Sequence, residues 1–396
     1  MGKLIYILTI LYIGLIPMEA ITIAEDISYG RIVFILLFAS SLFDISRCYK
    51  IKITEQPHIV ILFSFIFYCF ISIIWSYDQD ETLHRVQLLI QYIIITVLAT
   101  NVLCDYKRLK WAMIAFCLGC GYIGIASFGE YQVNSAVDMS YRSEFTTGNP
   151  NENAFMINYA IIFLLIISNN LLRAKQMLNI LCISGIVIFS YFILILGSRN
   201  GVIMLATTLL FYSIPKIYRK SSFKSLLAIL ILILGTLYLF CALPEVVQER
   251  YLGIQDQIAE NEMAGRGYIW SKIFDMLSQP DFPIIKGTGW GTFIPVFFQY
   301  SGLQIGAHNF YLNLLTTTGL IGLSLVLYYL YRLFLYLKLI RIKNKSVYYL
   351  LLVIPLISMI TTNWESRKWW FIISVFIYTL YRLNKNNLLP YNITVP

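Results

Sequence analysis

The sequence predicts an all-α, polytopic integral membrane protein with about twelve membrane-spanning helices, and three observations lead there. Apolar residues make up 58% of the 396-residue chain and charged residues only 13%. The apolar residues gather into repeated runs of about 20, the length an α-helix needs to cross the hydrocarbon core with its backbone satisfied internally. The Lys and Arg residues alternate from one connecting segment to the next, which the positive-inside rule converts into an orientation.

In chain order the spans fall at approximately 4–23, 31–46, 58–76, 86–104, 110–130, 154–170, 177–197, 200–215, 225–243, 308–337, 347–361 and 369–382. With the N-terminus inside, alternate segments carry twenty of the thirty Lys and Arg residues, beside only Asp44, Glu55 and Asp105. An even number of spans with both termini cytoplasmic follows, and a basic residue on the outer face then needs a reason. The first run follows Lys3 as a signal peptide would. No small-x-small cleavage site follows it, and the second span needs it for its own orientation, so it is expected to be retained. Residues 1–396 thus read as a single polytopic domain with a smaller outer loop at 131–153 and a large one at 244–307.

The seven cysteines make no framework. Cys117 and Cys120 have C-x-x-C spacing inside an apolar helix without a second ligand pair, so they read as packing residues. The net charge of +9 comes from the inner loops. It therefore reflects insertion and contact with anionic lipid, and nucleic acid is not expected as a partner. In the large outer loop, 245–258 and 267–277 read as helices. In the second, Ile269, Ile273, Phe274 and Leu277 form one apolar stripe with Trp270 and Met276 at its edges, so this helix should lie against the bundle or in the lipid interface. Pro280, Pro283 and the Gly-rich run at 286–291 end it.

Three constellations could carry chemistry. Gly197-Ser198-Arg199-Asn200-Gly201 is an outer turn so short that spans seven and eight form a hairpin, which fixes Arg199 at the outer end of the bundle. It is either a snorkelling hairpin stabiliser or a guanidinium held for bidentate contact with phosphate. Gly265-Arg266-Gly267 opens the amphipathic helix. A cation at a helix N-terminus asks for an anion, either Glu260 or Glu262 nearby or a bound phosphate. Arg250, Lys272 and Lys286 enrich the same loop. His308-Asn309 enters span ten at the outer face, where fixed arginines should keep the imidazole neutral and able to accept a proton, unless it merely bonds a loop carbonyl. Gly-x-Gly-x-Gly at 287–291 follows no strand and reads as a structural turn. Asp78-Gln79-Asp80 reads as a solvated cluster on a short outer loop near His84, and His58 lies near a cytoplasmic boundary.

At these residues the chain resembles the O-antigen ligase and polymerase superfamily of bacterial envelope glycosyltransferases. Ser198-Arg199-Asn200-Gly201 opening a span, Gly265-Arg266 with Trp270, and His308-Asn309 followed by Gly319 and Gly322 carry the likeness, joined by Thr147-Gly148-Asn149-Pro150-Asn151. Ile203 stands where the ligases often have Leu. The resemblance implies a glycosyltransferase of the bacterial inner membrane with a periplasmic active face. It would take glycan from a polyprenyl (undecaprenyl-type) diphosphate and need no cofactor or metal. His308, Arg199 and Arg266 would be catalytic, the arginines holding the diphosphate and His308 orienting or deprotonating the attacking hydroxyl. Arg199, Arg266, Arg250, Asn309 and Tyr268 would bind substrate. The implied partners are the polyprenyl-diphosphate-linked oligosaccharide, membrane lipid and a chain-length regulator. Polymerase is favoured over ligase because the Ile-, Tyr-, Asn- and Lys-rich composition suggests AT-rich coding DNA. A lipid-linked glycan flippase is the alternative of a different class, though its binding groups should sit near the midplane rather than on one outer face.

Overall fold

The computed structural model describes residues 2–19, 21–24, 27–51, 55–134, 149–171, 176–219, 238, 241, 248, 266–342, 345–363 and 368–389. The predominantly apolar runs form the helices α1 (Gly2–Leu15), α2 (Tyr29–Leu42), α3 (Ile45–Cys48), α4 (Pro57–Ile71), α5 (Gln79–Val102), α6 (Tyr106–Asn134), α7 (Pro150–Leu171), α8 (Gln176–Ile195), α9 (Arg199–Arg219), α10 (Arg266–Leu277), α11 (Phe293–Ser301), α12 (Phe310–Leu339), α13 (Lys345–Met359, with Pro355 inside it) and α14 (Trp369–Lys385). Eleven of the expected spans coincide with a helix. The expected span at 225–243, the helix at 245–258, Arg250, Gly265, Thr147 and Gly148 lie outside the described residues, apart from positions 238, 241 and 248. Among the described residues six helices are long and apolar enough to cross a membrane: Pro57–Trp75, Gln79–Val102, Tyr106–Glu130, Pro150–Asn169, Met177–Ile195 and Phe310–Leu339.

Two expectations about element boundaries need correction. The first helix stops at Leu15, because Pro17 opens a 3-10 turn in place of another α turn. Beyond it Thr22–Ala24 pairs with Ile27–Ser28 in a small antiparallel hairpin, so the chain leaves helix before residue 23. Asp78 and Asp80 are not on a free loop either. Asp78 caps α5, its carboxylate accepting from the Glu81 N–H at 3.0 Å, and His84 lies inside that helix.

Helix α7 is the centre of the bundle, with 89% of its apolar window buried. Phe163 meets Phe376 of α14 at 4.4 Å between ring centroids, and the Tyr159 hydroxyl donates to the Leu351 carbonyl of α13 at 3.0 Å. The Cys117 and Cys120 thiols donate to the Ala160 and Met156 carbonyls of the same helix, each at 3.5 Å. That is the packing role their sequence context suggested. His58 is also structural, fully buried with Nδ1 3.2 Å from the Tyr336 hydroxyl.

Helix α12 is broken at Gly319 (φ 65°, ψ −167°), immediately after the buried Thr316, Thr317 and Thr318. A broken helix leaves carbonyls and N–H groups that must find partners, a strict demand where no water competes. The Gly-rich turn supplies them. Thr288 and Gly289 N–H donate to the Thr316 and Thr317 carbonyls at 3.1 and 2.9 Å, while Leu320 and Ile321 N–H donate to Ile284 and Ile285 carbonyls at 2.9 and 3.2 Å. The turn is therefore structural: its amides are spent on helix ends rather than held for a phosphate. A Cβ at Gly319 would sit 2.3 Å from the Ile285 carbonyl oxygen, and one at Gly287 (φ 72°) would sit 2.4 Å from that of Thr317.

Gly287→Ala and Gly319→Ala should each cost about 3 kcal/mol or more, combining a left-handed L-residue at ~1–2 kcal/mol with a steric overlap of ~1–3 kcal/mol. Gly302, with φ 73° and open space around it, supplies the control, since Gly302→Ala carries the backbone penalty alone. Thermal unfolding in detergent should therefore rank the two interior variants well below Gly302→Ala. Equal melting temperatures for all three would refute the close packing of turn and helix.

Candidate functional site

The outer end of α9 is built by its cap. Ser198 Oγ accepts from the Gly201 N–H at 3.0 Å and donates to Asn151 Oδ1 at 2.6 Å. Asn151 belongs to the first turn of α7, where Asn149 Oδ1 accepts from the Asn151 N–H at 2.9 Å and Pro150 fills the first helical position. The Asn-Pro-Asn and Ser-Arg-Asn-Gly motifs are thus two halves of one brace. Asn200 adds a third strut through Nδ2 to Thr361 Oγ1 at 2.5 Å. Gly201 is required because a Cβ there would come within 2.6 Å of the Ala154 methyl. Arg199, the first residue of α9, is half-buried at the end of this brace.

Arg266 opens α10, whose buried face of Ile269, Ile273, Met276 and Leu277 packs on Phe293 and Phe297 of α11 and on Ala307. Phe274, expected in that stripe, is instead 55% exposed, and Met276 takes the buried place. The cluster with α11 includes Met276 and leaves out Phe274, so the buried stripe is turned slightly towards Met276 while keeping Ile269, Ile273 and Leu277. Trp270 joins the two motifs, its indole N–H donating to the Ala307 carbonyl at 3.1 Å. The next residue, His308, has φ 47°, a left-handed conformation that costs a non-glycine residue of order 1–3 kcal/mol and persists only where surroundings hold it. Asn309 then caps α12, with Oδ1 accepting from the Leu312 N–H at 3.1 Å.

The three side chains share one electrostatic neighbourhood although they come from three different elements. Burial first, and the Arg199 charge second, lower the Arg266 pKa from its ordinary value. Burial first, and the Arg266 charge second, lower that of His308 below 6.5, which leaves the imidazole neutral at pH 7. Each of the three lies at, or one residue before, a helix N-terminus, where free N–H groups and the macrodipole favour an anion. Two guanidinium groups that repel one another are thus set at helix N-termini within one neighbourhood.

The other expected residues are placed differently. Asn309 is 9% exposed and its carbonyl is committed to the cap, which leaves its amide for further contacts. Tyr268 is 60% exposed, with the Lys272 ammonium 5.8 Å from its ring centroid. Lys272 also pairs with Asp275 at 3.9 Å, Lys286 lies over the Trp75 ring at 5.4 Å, and Lys368 is held by Glu19 at 3.0 Å. These outer-loop ammonium groups each have a local structural reason. Sequence reasoning passed over Glu152, 5% exposed in the first turn of α7, and Asn313, 1% exposed one turn after Asn309. Polar residues within apolar spans are the signal that could have found both.

Residues 184–327 match the family described as O-Antigen ligase. The matched segment contains Arg199, Arg266, Trp270 and His308 together with Gly319 and Gly322. The match covers part of the chain and supports its likeness to the O-antigen ligase and polymerase superfamily. No curated protein matches the chain significantly.

Proposed function

We propose that the chain is an inner-membrane glycosyltransferase that extends a surface polysaccharide at the periplasmic face, an O-antigen polymerase. The observation that carries the reading is the convergence of Arg199, Arg266 and a neutral, strained His308 at three helix N-termini. The arginines bind the polyprenyl diphosphate of the donor and stabilise the charge that grows on it as the glycosidic oxygen leaves. His308 accepts the proton of the acceptor hydroxyl as that oxygen attacks the anomeric carbon. Tyr268 borders the donor and the Asn309 amide helps to hold it, while Arg250, outside the described residues, keeps only the donor-binding role that the family resemblance implies. The arginines supply the positive charge that a cation provides in many transferases, so the reaction proceeds in EDTA and needs no cofactor. A chain-length regulator is the expected protein partner.

Product analysis tests this reading. Given only lipid-linked repeat units in EDTA, the purified protein should build a ladder of longer lipid-linked chains. A strict need for lipid A core would identify a ligase instead, and translocation without bond formation would falsify the transferase reading. Topology is checked separately. A Ser278→Cys residue, just beyond α10, should react with an impermeant thiol reagent only from the periplasmic side; reaction from the cytoplasm would place the whole site on the wrong face.

A further inference from the structure

A cavity of about 520 Å³ lies between the starts of α5, α7 and α12 and the helix α11. Asp78, Glu81 and Arg85 of the α5 end line it, with Glu152 of α7, Asn313 of α12 and Phe298 of α11. Three carboxylates face one guanidinium, and that guanidinium is already engaged, with Arg85 Nε 2.6 Å from Glu81 Oε1. The wall is therefore electronegative and repels a diphosphate, the opposite of the Arg199 and Arg266 side. Carboxylates and amide carbonyls instead accept hydrogen bonds from hydroxyls.

One wall group asks directly for a donor. Asn313 is 1% exposed, and its Oδ1 has no hydrogen-bond partner among the described residues. A desolvated acceptor of this kind is normally satisfied, so a ligand hydroxyl is the missing partner in a polar cavity of this size. Phe298, 51% exposed at the rim, offers a flat apolar face suited to the C–H side of a pyranose ring.

Two of the wall residues neighbour, along α12 and α7, residues that build the cationic site. The Asn313 N–H donates to the Asn309 carbonyl at 3.0 Å, one turn beyond His308. Glu152 follows Asn151, the residue that braces Ser198 beside Arg199.

We infer that this cavity is the acceptor subsite, binding the terminal sugar of an uncharged or amino-sugar acceptor through hydroxyls donated to Asn313 Oδ1 and the surrounding carboxylates. The inference rests on the glycosyl-transfer reading. In the step it serves, the acceptor O–H gives its proton to His308 and its oxygen bonds the donor's anomeric carbon. The bond from that carbon to the diphosphate breaks, and the diphosphate leaves with the electron pair.

Octyl glycosides of the host's repeat-unit glycan and of its lipid A core oligosaccharide are the probes, because each lacks a diphosphate and can act only as acceptor. With purified protein and the native lipid-linked donor, Asn313→Leu and Phe298→Ala should each raise KM for the octyl glycoside used by about tenfold. Such a rise corresponds to one lost contact. The KM for donor should stay within about twofold. Phe298 lies at the exposed rim, so its variant keeps the test decisive if Asn313→Leu fails to fold. Wild-type acceptor KM in the folded variants, or a rise in donor KM instead, overturns the assignment while leaving the transferase intact. If wild type joins neither octyl glycoside to the donor, this assignment and the transfer reading fall together.

Discussion

Arg199→Lys and Arg266→Lys are each expected to lower glycan transfer by about 10²-fold or more while membrane expression stays at the wild-type level. Losing one well-placed donor to a developing oxyanion costs about 10²–10³ in rate. Lysine preserves the charge but loses the planar fork that binds two phosphate oxygens at once. A role in topology or simple charge balance would be rescued by lysine. The control is Lys286→Ala, because the Lys286 ammonium lies over the Trp75 ring, which has no part in the assigned site. Full transfer by both arginine variants would remove the diphosphate from this site. The comparison needs kcat and KM for the donor separately, since a contact stronger in the transition state lowers kcat rather than raising KM alone.

His308→Ala should bind the lipid-linked donor normally yet form glycosidic bonds about 10²–10⁴-fold more slowly, the usual contribution of a general base. His308→Gln sharpens the assignment, because an amide can orient a hydroxyl but cannot take its proton at neutral pH. Recovery of activity by glutamine would make His308 an orienting group. The pH profile carries a sign. The His308 pKa is pushed below 6.5 by burial and by Arg266, so the active neutral form is dominant at and above pH 6.5. Activity should be flat there and fall as acidification takes the pH through the depressed pKa. Protons also bind the unfolded chain more readily than this site, so stability falls in the same direction below pH ~6.5. Melting temperatures recorded at each pH separate the two effects. A rate that rises on acidification would reverse the assigned role.

The brace around Arg199 shows why short motifs were readable while the site as a whole was not. Ser198, Asn200 and Gly201 stand out in sequence because cap chemistry and close backbone approach restrict residue choice to a few types. Their partners Asn151 and Thr361 come from distant turns, and no local pattern says that they meet. Gly319 and Gly322 were visible as a spaced pair within a span expected to be continuous. Gly319 makes a helix break closed by residues 284–289 and Gly322 leaves room for the Thr318 side chain, roles that appear only when the segments are in place.

Composition and periodicity by themselves determined the membrane class and the approximate helix positions, and short motifs singled out Arg199, Arg266 and the neutral His308 as candidates. These are properties of single residues or of runs, set by transfer free energy and by the unusual cost of placing Arg or His at a membrane face. Tertiary structure alone decided the early end of α1, the burial of Met276 rather than Phe274, the mutual approach of Arg199, Arg266 and His308, and the acidic cavity between α5, α7, α11 and α12. Each of these depends on which surfaces face one another across long stretches of chain. Apolar periodicity shows that a helix has a face to bury, but the partner that covers it is chosen by packing among distant segments.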